Sequence, residues 1–116
     1  MTGSLRVSGG ALALLLAGCA YINASTTQYV GVPRYAAVDP ATVRVLPAEP
    51  TQPPHDRLGE ILLDISLDPA PSVDEVETRL REEGAKFGAS AVFIVRDQII
   101  PGTGRKLIAV AIRTRQ

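Results

Sequence analysis

The sequence predicts a small α/β (α+β) domain with a sheet of about four strands in the chain order β-β-α-β-β and one helix packed on one face. Three observations carry this reading. Residues 57–67 and 106–113 alternate apolar and polar side chains with a period of two. Between them, Ser72 stands before an apolar stripe at helical spacing, and Glu75 follows it three residues later. The run Ala91-Val92-Phe93-Ile94-Val95 is continuously apolar, as expected of a central strand covered on both faces.

Taken in order, Val43 to Leu46 predicts one short edge strand, stopped by Pro47. Residues 47–56 form a proline-rich, extended connection. Along 57–67, Ile61, Leu63, Ile65 and Leu67 share one face, and Pro69 and Pro71 end the strand. Ser72 caps a helix, with Asp74 and Glu75 suited to its positive N-terminus. Its apolar stripe is Val73, Val76, Leu80, Gly84 and Phe87, and Gly88 is the expected stop. A missing side chain at Gly84 lets the helix approach the sheet, at a propensity cost of about 1 kcal/mol relative to alanine. Ile99 and Ile100 extend the strand at 91–95, and Pro101 to Gly104 form a turn. In the last strand Ile108, Val110 and Ile112 lie on one face, and Leu107, Ala109 and Ala111 on the other. The strands flanking the helix are expected to run parallel, and the final two to form an antiparallel hairpin.

A single helix covers one sheet face. The other face is expected to carry Leu62, Leu107, Ala109 and Ala111, a candidate interface for an envelope partner or a second copy. The competing expectation is that the proline-rich segment folds over it.

The N-terminal stretch has one positive side chain, Arg6, then the short apolar run Ala11 to Ala17 and small residues. This is the order of a secretory signal peptide, and the run is far short of the roughly 20 residues that span a bilayer. Leu15-Leu16-Ala17-Gly18-Cys19 resembles the lipobox of bacterial lipoproteins. The resemblance implies cleavage between Gly18 and Cys19, a diacylglycerol thioether on the Cys19 thiol and acylation of the new amino end. Two other readings stay open: an ordinary signal peptide cut near Ala17 or Ala20, and a buried helix with a small core cysteine. The implied organisation is a signal peptide at 1–18, a lipidated, mostly disordered tether at 19–42 and the domain at 43–116. Ala20 follows the cysteine where an aspartate would resemble an inner-membrane retention signal. Its absence suggests the outer membrane, facing the periplasm.

Leu58-Gly59-Glu60 on a strand, a capped helix and Phe87-Gly88-Ala89-Ser90-Ala91-Val92 leading into a strand resemble the YbjQ-like small α/β domains. They are also similar to the outer-membrane lipoprotein sensor of the Rcs envelope-stress pathway. The resemblance spans about residues 57–113 and implies architecture. The Rcs sensor carries internal disulfides, whereas this chain has one cysteine.

Twelve basic residues balance twelve acidic ones, so there is no surplus charge for nucleic acid. Two Phe, three Tyr and no Trp offer few stacking platforms for bases. His55 is the one histidine and neighbours Asp56. The pair, with Glu60, is the candidate for a metal or ligand site or a base with its orienter, against the plainer reading of a solvated loop histidine. Glu82-Glu83 and Asp74-Glu75 read as solvated helix positions with partners such as Arg79 and Lys86, because adjacent helical residues do not face each other. Gly102-Thr103-Gly104 reads as a hairpin turn rather than a phosphate loop, since no helix follows it. The expected function is a non-catalytic, membrane-anchored envelope lipoprotein with a protein-interaction or sensing domain and no cofactor. The alternative is a periplasmic ligand- or metal-binding domain.

Overall fold

The computed structural model describes residues 19–115, so the expected signal peptide, including Gly18, lies outside the described residues. The chain forms β1 (Ile22–Gln28), a single 3-10 turn at Pro40–Thr42, β2 (Arg44–Leu46), β3 (His55–Ile65), α1 (Val73–Lys86), β4 (Ala91–Ile100) and β5 (Gly104–Thr114). The five strands make one sheet in the order β1-β3-β5-β4-β2. All neighbours are antiparallel except β2, which runs parallel to β4.

The fold class is as expected, with one more strand than the sequence suggested. The strands flanking α1 do run in the same direction, but β5 lies between them, bonded antiparallel to each. The additional strand is β1, which corrects the expectation of a mostly disordered tether from 19 to 42. Ile22 and Ala24 turn toward the core while Asn23 and Ser25 face water. The backbone ladder to β3 runs from the Ile22/Ile65 pair to the Gln28/Gly59 pair. An edge strand of this kind is held by its ladder more than by side-chain burial, so it needs few large apolar residues. Beyond it, Val32, Tyr35 and Val38 pack against the core, and the Val38 N–H donates to the Ala85 carbonyl at the helix end.

Helix α1 begins as its sequence dictates. The Ser72 hydroxyl accepts from the Glu75 N–H at 3.1 Å and donates to the Glu75 carboxylate at 3.2 Å. It ends at Gly88, whose φ of +75° favours glycine. There the Gly88 N–H reaches the Ala85 carbonyl and the Ala89 N–H the Gly84 carbonyl, the paired bonds of a Schellman motif. Val76, Leu80 and Ala85 meet Ile61, Leu63, Ile65, Val92 and Leu107 in the main core. Gly84 is the point of close approach, since a Cβ there would lie 2.7 Å from a Val92 methyl. Val73, placed on the apolar stripe by its spacing, instead faces solvent at the first turn.

The faces of β5 are the reverse of those expected. Leu107, Ala109 and Ala111 lie fully buried under α1, and Val110 and Ile112 point to the other face. The second face holds a smaller cluster of Ala91, Phe93, Val110 and Ile112, flanked by Tyr29 and Leu46.

Candidate functional site

Cys19 is exposed, and only Ala20 separates it from backbone that is fixed in place. The Tyr21 N–H donates to the Ser66 hydroxyl at 2.9 Å, and the Ser66 N–H donates to the Tyr21 carbonyl at 3.1 Å. The Ser66 hydroxyl donates in turn to the Pro69 carbonyl at 2.7 Å. One buried serine therefore ties the start of β1 to the loop that leads into α1. Cys19 thus emerges at the sheet end where β1 and β5 begin and β3 and β4 finish.

Of the four candidate interface residues, only Leu62 lies on the second face, where it pairs with Ile108 and is half-buried. Leu107, Ala109 and Ala111 are core residues, as described above. Part of the second face is covered by the segment that joins β2 to β3, which was the competing expectation. Pro47, Pro50 and Pro53 wall a cavity of about 260 Å³ whose floor includes Leu46, Ala91 and Ile112.

This proline strap is held down by charge. Glu49, on the strap, accepts from Arg57 Nε at 3.0 Å and makes a second bond to Arg57 Nη2. The same carboxylate lies 2.9 Å from His55 Nε2, while His55 Nδ1 lies 3.0 Å from the Pro53 carbonyl. Both ring nitrogens face acceptors. Only the imidazolium donates from both, so the geometry favours the protonated ring. The Glu49 hydrogen bond and that of the Pro53 carbonyl accordingly hold the His55 pKa above its ordinary 6.5. Hydrogen bonds from Arg57 and His55 pull Glu49 down to about 2. The Arg57 guanidinium also sits 5.9 Å from the centre of the Phe93 ring, at the edge of the second cluster.

His55 is therefore not a solvated loop residue, and it does not work with Asp56. Consecutive strand residues point to opposite faces, and Asp56 instead receives Arg115 Nε at 3.0 Å. Glu60 is exposed farther along β3. Among the described residues, no group of three or more His, Cys, Asp or Glu converges as a metal site would require. On α1, Glu83 has the expected partners, Lys86 at 2.9 Å and Arg79 at 3.4 Å, but it is buried rather than solvated, because it lies on the side of the helix turned to the rest of the fold. Gly102-Thr103-Gly104 joins β4 to β5, with the Thr103 N–H on the Ile100 carbonyl. Glu49 is the functional neighbour that sequence reasoning missed; six residues from His55 across several prolines, it carries no spacing signal.

No family model matches the chain, and no curated protein matches it. Among solved structures, the crystal structure of a Francisella virulence factor, FvfA, is similar with a TM-score of 0.56. The match covers 80% of this chain and 98% of that one at 11% sequence identity, a likeness of fold.

Proposed function

We propose that the protein is a membrane-anchored envelope lipoprotein with a small, non-catalytic interaction domain, held at the outer membrane and facing the periplasm. The observation that carries this reading is the Leu15-Leu16-Ala17-Gly18-Cys19 stretch. Acylation at Cys19 adds about 0.8 kcal/mol for each buried methylene, so several chains together anchor firmly. An exposed Cys19 beside the first strand agrees with use as an attachment point. His55 is committed to Glu49 and Pro53, which argues against a catalytic or metal-binding role for it. The partner is an envelope protein or a second copy, met through the part of the second face around Leu62 that the strap leaves open.

Mass spectrometry of the mature N-terminus from the native host tests the anchor. The expected product begins at Cys19 and carries a diacylglyceryl thioether and an amide-linked acyl chain. A polypeptide that begins at Met1, or one with an unmodified thiol at Cys19, overturns the reading. Light scattering after size exclusion tests the interaction. Self-association or a defined envelope partner lost in Leu62→Asp supports it, and a monomer with no such partner counts against it.

A further inference from the structure

Six large apolar side chains are notably exposed among the described residues: Tyr21, Val30, Leu67, Val73, Val95 and Ile99. Four of them gather at the end of the sheet from which Cys19 emerges. Tyr21 precedes β1, Leu67 follows β3, Val73 opens α1 and Ile99 lies near the end of β4. The strand registers place the segments of Tyr21, Leu67 and Ile99 together, through Ile22 opposite Ile65 and Arg105 opposite both Ile65 and Ile99, and the first turn of α1, through Asp74 and Glu75, lines a groove with Tyr21. Leu67 and Ile99 line one surface depression with Ile65 and Ala70, and Tyr21 lines the adjoining groove with Pro71. Val73 is 72% exposed, against the burial of Val76 and Leu80 on the same helix, and Ile99 is 63% exposed.

We infer that this end of the domain rests on the bilayer, with Tyr21, Leu67, Val73 and Ile99 entering the interface of a zwitterionic phospholipid surface. The inference rests on the lipoprotein reading of Cys19. Two residues of extended chain span at most about 7 Å. Because Tyr21 is tied at both backbone groups to Ser66, an acylated Cys19 cannot carry the domain far from the membrane. The side chains around the attachment point are then the ones brought to the interface, where apolar groups sink about 5–10 Å into the headgroup boundary. The charges here select the lipid. Arg105 is paired with Asp97 and Lys106 with Asp64, which leaves Asp68, Asp74 and Glu75 as the local excess. That balance disfavours an anionic surface and suits a zwitterionic one.

The chain has no tryptophan, so an introduced indole reports alone. Val73→Trp, Ile99→Trp and, at the opposite end, Val30→Trp are each made in the full chain and isolated from host membranes. They are then reconstituted in phosphatidylcholine–phosphatidylethanolamine vesicles. Mass spectrometry of each sample reports the state of Cys19. The expected result is blue-shifted emission, quenching by brominated lipid and loss of iodide quenching at positions 73 and 99, with position 30 still open to iodide. If position 73 or 99 is as open to iodide as position 30 while Cys19 is acylated, the membrane-resting face is overturned and the lipoprotein reading stands. An unmodified Cys19 overturns both.

Discussion

Replacing Gly59 with alanine puts one methyl group where three elements meet. A Cβ at this position would lie 2.5 Å from the Thr27 carbonyl oxygen, 2.5 Å from Phe87 Cε1 and 2.8 Å from Phe87 Cζ. The phenyl ring has some freedom to swing, but the Thr27 carbonyl belongs to β1 and moves only with the strand. Overpacking of this kind costs about 1–3 kcal/mol. Displacing β1 weakens ladder bonds worth about 0.5–1.5 kcal/mol each. Against this, the lower backbone entropy of alanine in the unfolded chain returns about 0.4–1 kcal/mol. The net expectation for Gly59→Ala is a loss of roughly 0.5–4 kcal/mol. Urea unfolding followed by circular dichroism reads this as a midpoint lowered by about 0.3–2 M at a slope of about 2 kcal/mol per M. Gly84→Ala is the internal comparison. Its new Cβ meets side-chain methyls rather than backbone, those of Val92 at 2.7 Å, Val43 at 3.2 Å and Ala89 at 3.9 Å, and the helix gains about 1 kcal/mol of propensity. Its loss should therefore be the smaller of the two. An unchanged midpoint for Gly59→Ala would mean that β1 does not pack across Gly59 as described.

The strap is predicted to respond to pH in two opposite senses. Glu49 is depressed from 4.5 to about 2, so its contribution is present above 4.5 and fades as pH falls toward 2. His55 is raised above 6.5, so its contribution is complete below 6.5 and fades as pH climbs through the raised value. An NMR titration should find the His55 midpoint above 6.5 and lowered in Glu49→Gln, where only the Pro53 carbonyl still raises it; equal midpoints would break the pairing. Ser72→Ala removes the helix cap and should cost about 0.5–2 kcal/mol by urea unfolding. Leu80→Ala, at a site 1% exposed in the main core, should cost about 2–5 kcal/mol in the same assay.

The elements legible in the sequence were those whose side chains state their own geometry. Ser72 and Glu75 announced the start of α1, Gly88 its end, and the alternation through Ile61, Leu63 and Ile65 marked β3. The strand β1 was not legible because Asn23, Ser25 and Thr27 face water, so its apolar signal reduces to Ile22 and Ala24. The faces of β5 were misjudged because hydrophobicity alone ranks Ile108, Val110 and Ile112 above Leu107, Ala109 and Ala111. That ranking was a poor guide, since Leu107, Ala109 and Ala111 are the residues that share the main core with Val76, Leu80 and Ala85. The pairing of His55 with Glu49 depends on how the prolines fold back, which no local pattern encodes.

The strand order β1-β3-β5-β4-β2 has a kinetic consequence. The middle position is taken by β5, the last of the five strands to emerge from a ribosome. Until residues 104–114 arrive, β3 and β4 have no common neighbour, and the pair β1–β3 stays separate from the pair β2–β4. Premature collapse into a finished sheet is thus blocked by topology. Joining the two pairs through residues 104–114 depends on contacts far apart in sequence, which slows closure of the sheet.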